Sequence, residues 1–283
     1  MKVLVTGAGG QLATVLKDNC LGDVKNQFFF FTKNDLDLLD SNKLEELLIL
    51  YDIDVIINCA AYTRVDQAED ESAFCYQVNE LAVRQMGLIA NRLGIGIIHF
   101  STDYVFDGTS CVPYHEEDIC NPATVYGDSK LKGEKELLLV CPQSVIIRTS
   151  WLYSDKGSNF VQSMLRLGKE RKQLNVVFDQ IGTPTSAMDL AQVVLHILRV
   201  GLKPGIYHYS NEGVCSWYDF AKAIHSLANI TSCEVTPIHS SAYPTKAKRP
   251  NYSVLDKTKI KEVYQIKIPH WYDSLCEIIE RSH

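Results

Sequence analysis

The stretch Lys2-Val-Leu-Val-Thr6 runs without interruption into Gly7-Ala-Gly-Gly10-Gln-Leu-Ala13. The first five residues predict a short strand and Gln11–Asp18 a helix. A tight turn between them requires residues free of a Cβ, and the helix N-terminus offers unpaired N–H groups to a pyrophosphate. The spacing is G-x-x-G-x-x-A, with Ala13 in the last position, where a small residue still lets helix and strand pack closely. A glycine cluster alone is equally a plain βα turn. Its place at the first strand of a βαβ unit predicts a dinucleotide site with Gly7 and Gly10 in the turn.

Working outward, strand-like runs recur at Gln27–Phe31, Asp54–Asn58, Ile95–Ser101 and Ser144–Arg148. Between them lie helix-like stretches: Ser41, a candidate cap, through Tyr51; Ser72–Leu93, ended by Gly94; and Tyr126–Val140. This alternation predicts a Rossmann-type α/β fold, a doubly wound parallel sheet over residues 1–150 with helices on both faces. Apolar runs such as DVIIN fit strands buried on both sides. After Thr149 the rhythm changes. Asn159–Glu170 and Ala187–Val200 are predicted helices, the second capped by Ser186, and short strands such as Ile206–Tyr209 lie between helices. Ser216-Trp-Tyr-Asp219 predicts a capping box opening a helix to about Ala228. Residues 151–283 are expected to form mainly a smaller substrate-binding lobe, some segments returning to the first domain, with the ligand cleft between them.

The 283 residues, 46% apolar and 22% charged, describe an ordinary globular enzyme able to bury a core without staples. A net charge of −6 argues against a nucleic acid or an acidic membrane as the main partner. The nine cysteines form no CxxC pair and no zinc-type cluster, so they are expected to be reduced thiols packed as small core residues. Met1 leads directly into the first strand, and no apolar run is long enough to span a bilayer. The expected compartment is the cytosol.

The second strand should end near the adenine ribose, where an acid favours NAD and a base NADP. The sequence offers Thr32-Lys33 first and Asp35 and Asp37 slightly later, which leaves the choice between NADH and NADPH open. Lys33 is either a partner for a 2′-phosphate or a solvated loop lysine.

Tyr126-Gly-Asp-Ser-Lys130 carries the chemistry. Residues four apart share a helix face, so phenol and ammonium project together. A free phenol, with a pKa near about 10, is a sluggish acid at neutral pH, and a neighbouring ammonium should lower that value. Such a tyrosine can protonate a carbonyl oxygen as hydride reaches the carbon. Thr102, following the fourth strand, sits at the carboxyl edge of the sheet, where ligands of open parallel sheets bind. Taken alone, YxxxK is a chance pairing. The strand-end hydroxyl and the upstream glycine turn make it a site.

With these residues the chain resembles the extended short-chain dehydrogenase/reductase superfamily, and within it the dTDP-4-dehydrorhamnose reductases. The matching strings are TGAGGQL (Thr6–Leu12), NCAAYTRVDQAE (Asn58–Glu69), STDYVFDG (Ser101–Gly108), YGDSKLKGE (Tyr126–Glu134), RTSWLY (Arg148–Tyr153), DQIGTPT (Asp179–Thr185) and YPTKAKRPNYSVLD (Tyr243–Asp256). The resemblance implies cofactor contacts at Gly10, Gln11, Leu12, Asp37, Leu38, Ala60, Ala61, Thr63, Tyr126 and Lys130. It implies substrate contacts at Thr102, Asp103 and Trp151, with Arg249 near a diphosphate, a role suited to its planar fork. The implied reaction is reduction of the 4-keto group of a dTDP-linked 6-deoxy sugar. Some relatives dimerise around magnesium held by glutamates. Val15 and Met188 stand at those positions and cannot ligate a hard cation, so no metal and a monomer are expected, with a weak dimer as the alternative. Two rival functions remain. A dehydratase of the superfamily carries an acid where this chain has Tyr104, and an epimerase recycles its nicotinamide. The regulatory subunit of methionine adenosyltransferase resembles these reductases but acts as a non-catalytic NADP-binding module.

Overall fold

The computed structural model describes residues 1–281, so the last two residues of the expected second lobe lie outside it. The predicted alternation is present as β1 (Lys2–Thr6), α1 (Gln11–Asn19), β2 (Gln27–Phe31), α2 (Ser41–Leu50) and β3 (Val55–Asn58). It continues through α3 (Val65–Ala68), α4 (Ser72–Tyr76), a π-helical turn (Gln77–Leu81), α5 (Ala82–Leu93), β4 (Gly96–Thr102), α6 (Val125–Val140) and β5 (Val145–Thr149). All pairings in the main sheet are parallel, and its order is β10-β5-β4-β3-β1-β2, where β10 is Gly205–His208. The short strand expected after Thr149 thus closes one edge of the first sheet. Its register with β5 aligns Ile206 with Ile146.

Two cores cover the sheet. On one face Val3, Val5 and Ile57 pack with Leu12 and Leu16 of α1 and with Leu190, Val194 and Ile197 of a later helix. On the other, Leu4, Ile56 and Ile97 pack with Leu44, Met86, Ile89 and Leu137. Strands buried on both sides explain why their sequences are continuously rather than alternately apolar.

Two local expectations are corrected. Asp40, not Ser41, caps α2, accepting from Lys43 N at 2.9 Å. The single long helix expected over Ser72–Leu93 is interrupted by the π-helical turn. That turn carries Asn79 into the interior, where its amide exchanges hydrogen bonds with the Tyr62 backbone at 2.9 and 3.0 Å and reaches Ser129 Oγ at 3.0 Å. Gly133 of α6 lies against it so closely that a Cβ would sit 2.0 Å from Asn79 O. The local widening of the helix sets the loop after β3 against α6. The helix does end at Gly94, at φ 70°.

Beyond β5 come β6 (Leu152–Tyr153), α7 (Phe160–Glu170), β7 (Gln173–Val177), β8 (Ile181–Gly182), β9 (Thr185–Ser186) and α8 (Ala187–Val200). After β10 follow β11 (Cys215–Ser216), α9 (Trp217–Leu227), β12 (Glu234–Ile238), α10 (Thr258–Tyr264) and α11 (Trp271–Arg281). Ser186 caps α8, and the expected capping box of Ser216 and Asp219 opens α9. A third core, including Met164, Phe220, Ile224 and Leu275, joins α7, α9 and α11. All nine cysteines are free thiols. Among the described residues no helix is long and apolar enough to cross a membrane.

Candidate active site

The chain leaves β1 toward β2 on one side and returns at β3 on the other, so the topological switch point lies between β1 and β3. Gly7 occupies it at φ 66°. A Cβ there would lie 2.7 Å from Ala60 N and 2.8 Å from Ala60 Cα, so only glycine lets the two backbones meet. The first bond of α1 runs from Thr14 N to Gly10 O at 3.0 Å, which leaves the N–H groups of Gln11, Leu12 and Ala13 outside the helical ladder. A bare backbone floor facing a helix N-terminus fits the diphosphate of a dinucleotide.

A cavity of about 470 Å³ above this turn is lined by Gly7, Gly10, Lys33, Asp37, Leu38, Ala60, Ala61 and Phe74. Asp35 is turned onto its own loop, accepting from Thr32 N at 2.9 Å and Thr32 Oγ1 at 2.6 Å. Asp37 accepts from Leu39 N at 3.1 Å. Lys33 lies with Nζ 5.2 Å from the centre of the Phe74 ring. A second cavity, of about 610 Å³, shares Gly10, Cys59 and Ala61 with the first and is lined by Gln11, Leu12, Thr63, Thr102, Asp103, Tyr126, Lys130, Trp151 and Arg249. Apart from Asp35, every cofactor, substrate and catalytic residue singled out in the sequence lines one cavity or the other.

At the catalytic corner, Thr102 ends β4 and accepts from Tyr104 N at 3.2 Å while donating to Asp103 Oδ1 at 3.0 Å. Thr124 caps α6 by accepting from Gly127 N at 3.0 Å. A Cβ on Gly127 would lie 2.2 Å from Tyr104 O, so the start of α6 rests directly on the turn after β4. This contact brings Tyr126 to the strand end, with its ring edge-on to Tyr104 at 5.6 Å.

Lys130 is almost fully buried. Its Nζ donates to Phe100 O at 2.7 Å and lies 3.3 Å from His99 Nε2. Burial pulls its pKa down to about 8, against the raising effect of Glu134. The Tyr126 phenol does not show the expected acidification. Burial pushes it well above its ordinary value, reinforced by Asp103 and Tyr104 and opposed by the Thr102 hydroxyl. The hydrogen-bond partners of the lysine explain the difference, because they are Phe100 and His99 rather than the phenol. A phenol that keeps its proton at neutral pH is the form a proton donor requires. Burial likewise pushes Asp103 up to about 6, with the Ser253 and Thr102 hydroxyls acting the other way.

The opposite wall comes from the second half of the chain. Trp151, at φ 46°, stacks on Trp217 with ring centres 3.6 Å apart and planes 9° from parallel. Phe160 packs beside Trp217 at 4.7 Å. Arg249 Nη2 donates to Asp66 Oδ2 at 2.9 Å, Ala247 N donates to Asp66 Oδ1 at 3.1 Å, and Lys246 pairs with Asp70. These contacts dock the Tyr243–Asn251 loop on α3. A third cavity, lined by Phe160, Trp217, Tyr243, Thr245 and Arg249 among others, continues the cleft outward. Two tethers join the walls: Ser154 Oγ and Asn159 Nδ2 donate to Gln11 Oε1 at 3.1 and 3.0 Å. Val15 and Met188 are packed in the first core, where Asn19 Nδ2 lies 3.0 Å from Met188 Sδ.

Sequence reasoning missed Trp217 and His99. Trp217 stood inside a capping-box signature that already accounted for its neighbourhood. His99 stood in an apolar run that read as a plain core strand, and only its polarity there could have marked it.

A parallel sheet that presents a helix-borne tyrosine and lysine to its own dinucleotide turn is the architecture of the short-chain dehydrogenases/reductases, and this chain is a reductase of that class. It belongs to the RmlD substrate binding domain family, whose model matches residues 1–283. It is 42% identical to a dTDP-4-dehydrorhamnose reductase of Aggregatibacter actinomycetemcomitans, over 98% of both chains. It is 41% identical to the spore coat polysaccharide biosynthesis protein SpsK of Bacillus subtilis (strain 168), over 99% of this chain and 98% of that one. Among solved structures, the dTDP-4-dehydrorhamnose reductase of Bacillus anthracis in complex with NADP superposes with a TM-score of 0.95 at 36% identity, covering 99% of each chain.

Proposed function

We propose that this protein reduces the 4-keto group of dTDP-4-dehydrorhamnose to the alcohol of dTDP-L-rhamnose with NADPH or NADH. The observation that carries this reading is the position of Tyr126. It lines the cavity that joins the dinucleotide turn to the Trp151 and Arg249 wall, so one phenol faces both the cofactor side and the sugar side.

When bound, the reduced nicotinamide supplies the hydride. The chain supplies the rest. The glycine turn and the free N–H groups of α1 hold the cofactor diphosphate. Lys33 meets the adenine ribose end. Tyr126 hands its proton to the oxygen at C4 as negative charge develops there, a contribution of roughly 10²- to 10⁴-fold for a positioned general acid. Thr102 turns its hydroxyl from Asp103 toward that oxygen and fixes its direction. Arg249 takes the diphosphate of the sugar nucleotide in exchange for Asp66, and the Trp151–Trp217 stack forms the apolar wall against which the sugar lies. Residues 1–150 act as the cofactor half and 151–283 mainly as the sugar half, with β10 and α8 returned to the first sheet.

Incubation with dTDP-4-dehydrorhamnose and NADPH or NADH, following nicotinamide absorbance and identifying the product, tests the reading. The expected result is stoichiometric cofactor oxidation and dTDP-L-rhamnose. A wild-type protein that binds cofactor but oxidises none with this substrate would contradict it and favour a binding module.

A further inference from the structure

Thr6, Asn58 and His99 are register partners on the adjacent strands β1, β3 and β4. All three are buried, none more than 1% exposed. Two residues earlier in each strand, the same face carries Leu4, Ile56 and Ile97 of the second core. The row of polar side chains therefore replaces an apolar row at the carboxyl edge, directly beneath the cleft. A buried polar row is retained only where its hydrogen bonds are made.

Those bonds have a direction. Ala60 N, an obligate donor, lies 3.3 Å from both Thr6 Oγ1 and Asn58 Oδ1, and the Thr6 hydroxyl donates to Asn58 Oδ1 at 2.7 Å. With the Asn58 oxygen accepting from Thr6, the Asn58 NH₂ faces His99 Nδ1 at 3.0 Å. Burial keeps His99 uncharged. A neutral ring that accepts at Nδ1 carries its one proton on Nε2, which points at Lys130 Nζ, 3.3 Å away. An ammonium has no lone pair to receive that proton, whereas an amine does.

We infer that His99 is a positioning residue for Lys130: its Nε2–H, oriented by Asn58, donates to the uncharged amine and so makes the lysine release its proton readily. The inference rests on the proposed role of Tyr126. Its use in the cycle is replenishment. Reduction takes a proton from the Tyr126 phenol. Lys130 does not bond the phenol directly, so the transfer runs through a cleft water. That water gives a proton to the phenolate oxygen as it takes one from the Lys130 ammonium, leaving phenol and amine both neutral. Bulk water then returns a proton to the amine. The other titratable groups acting on Lys130 are Glu134 on its own helix and Cys75 on α4. Both favour the ammonium and cannot supply the effect assigned to His99, which acts in the same direction as burial.

The test has two arms. In the ligand-free protein, ¹⁵N-resolved NMR of the through-bond-assigned His99 ring should show a neutral imidazole protonated at Nε2. A ring protonated at Nδ1, or at both nitrogens, overturns the inference whatever the activity. In the second arm, kcat for reduction should fall as pH rises through the titration of the lysine proton source. His99→Phe, which removes the donor, should move that fall to higher pH by about one unit, while His99→Gln, which keeps an N–H for Lys130, should retain the wild-type profile. An unchanged profile in His99→Phe with only a lower Tm would assign the histidine to packing alone and overturn the inference. If His99→Phe does not fold, the wild-type NMR result decides. Tyr126→Phe separates the two proposals: retained activity there sinks the proposed function, whereas its loss together with an unmoved His99→Phe profile sinks only this inference.

Discussion

The two ends of the cleft are built from different material. At the cofactor end, Gly7 and Ala60 meet backbone to backbone, and the α1 N-terminus completes the floor, so the site is made by strands and a turn. At the sugar end, Trp151, Trp217 and Arg249 arrive from β5–β6, α9 and the Tyr243–Asn251 loop and meet through side chains. A backbone site asks little of its side chains beyond smallness and is shared by many nucleotide-binding sheets. A side-chain site is specific to what it must recognise, and single substitutions can retune it. Tyr126 and Thr102 stand where the two constructions join.

That contrast can be broken or sharpened by substitution. Tyr126→Phe, at the junction, should produce the largest effect. The expected loss in kcat is about 10³-fold, within the usual range for removing a general acid, with cofactor affinity and Tm close to wild type. Arg249→Ala, at the side-chain end, should raise KM for the sugar nucleotide by roughly 10- to 100-fold, the loss of one charge-assisted pair. It should leave kcat within a few-fold and cofactor binding untouched in steady-state kinetics. Lys33→Ala, on the rim of the backbone end, should have the smallest effect, a rise of about 5- to 10-fold in KM for NADPH and none for NADH. Equal effects on both cofactors would mean that the lysine does not meet a 2′-phosphate.

The same contrast explains what the sequence made legible. The backbone end is encoded locally: KVLVTGAGG holds strand, turn and helix start in one string, and YGDSK places phenol and amine on one helix face. Long-range pairing is not. The stacking of Trp151 on Trp217 and the docking of Arg249 on Asp66 depend on how α9 and the last loop fold back, which no local period records. The π-helical turn at Gln77–Leu81 was hidden because its residues suit an α-helix equally well, and the tertiary bonds of Asn79 make the difference. The acidified phenol expected from i, i+4 spacing failed for a related reason. Spacing shows that two side chains share a face but not which partners they choose, and Lys130 bonds to β4 instead.

The claim that Tyr126 delivers the proton at C4 is tested most directly by a crystal structure of the ternary complex with NADP⁺ and dTDP-L-rhamnose. It should place the sugar O4 within about 3.2 Å of both Tyr126 Oη and Thr102 Oγ1, with the sugar-nucleotide diphosphate against Arg249. A sugar seated with O4 turned away from Tyr126, and another side chain in hydrogen-bond reach of it, would contradict the account.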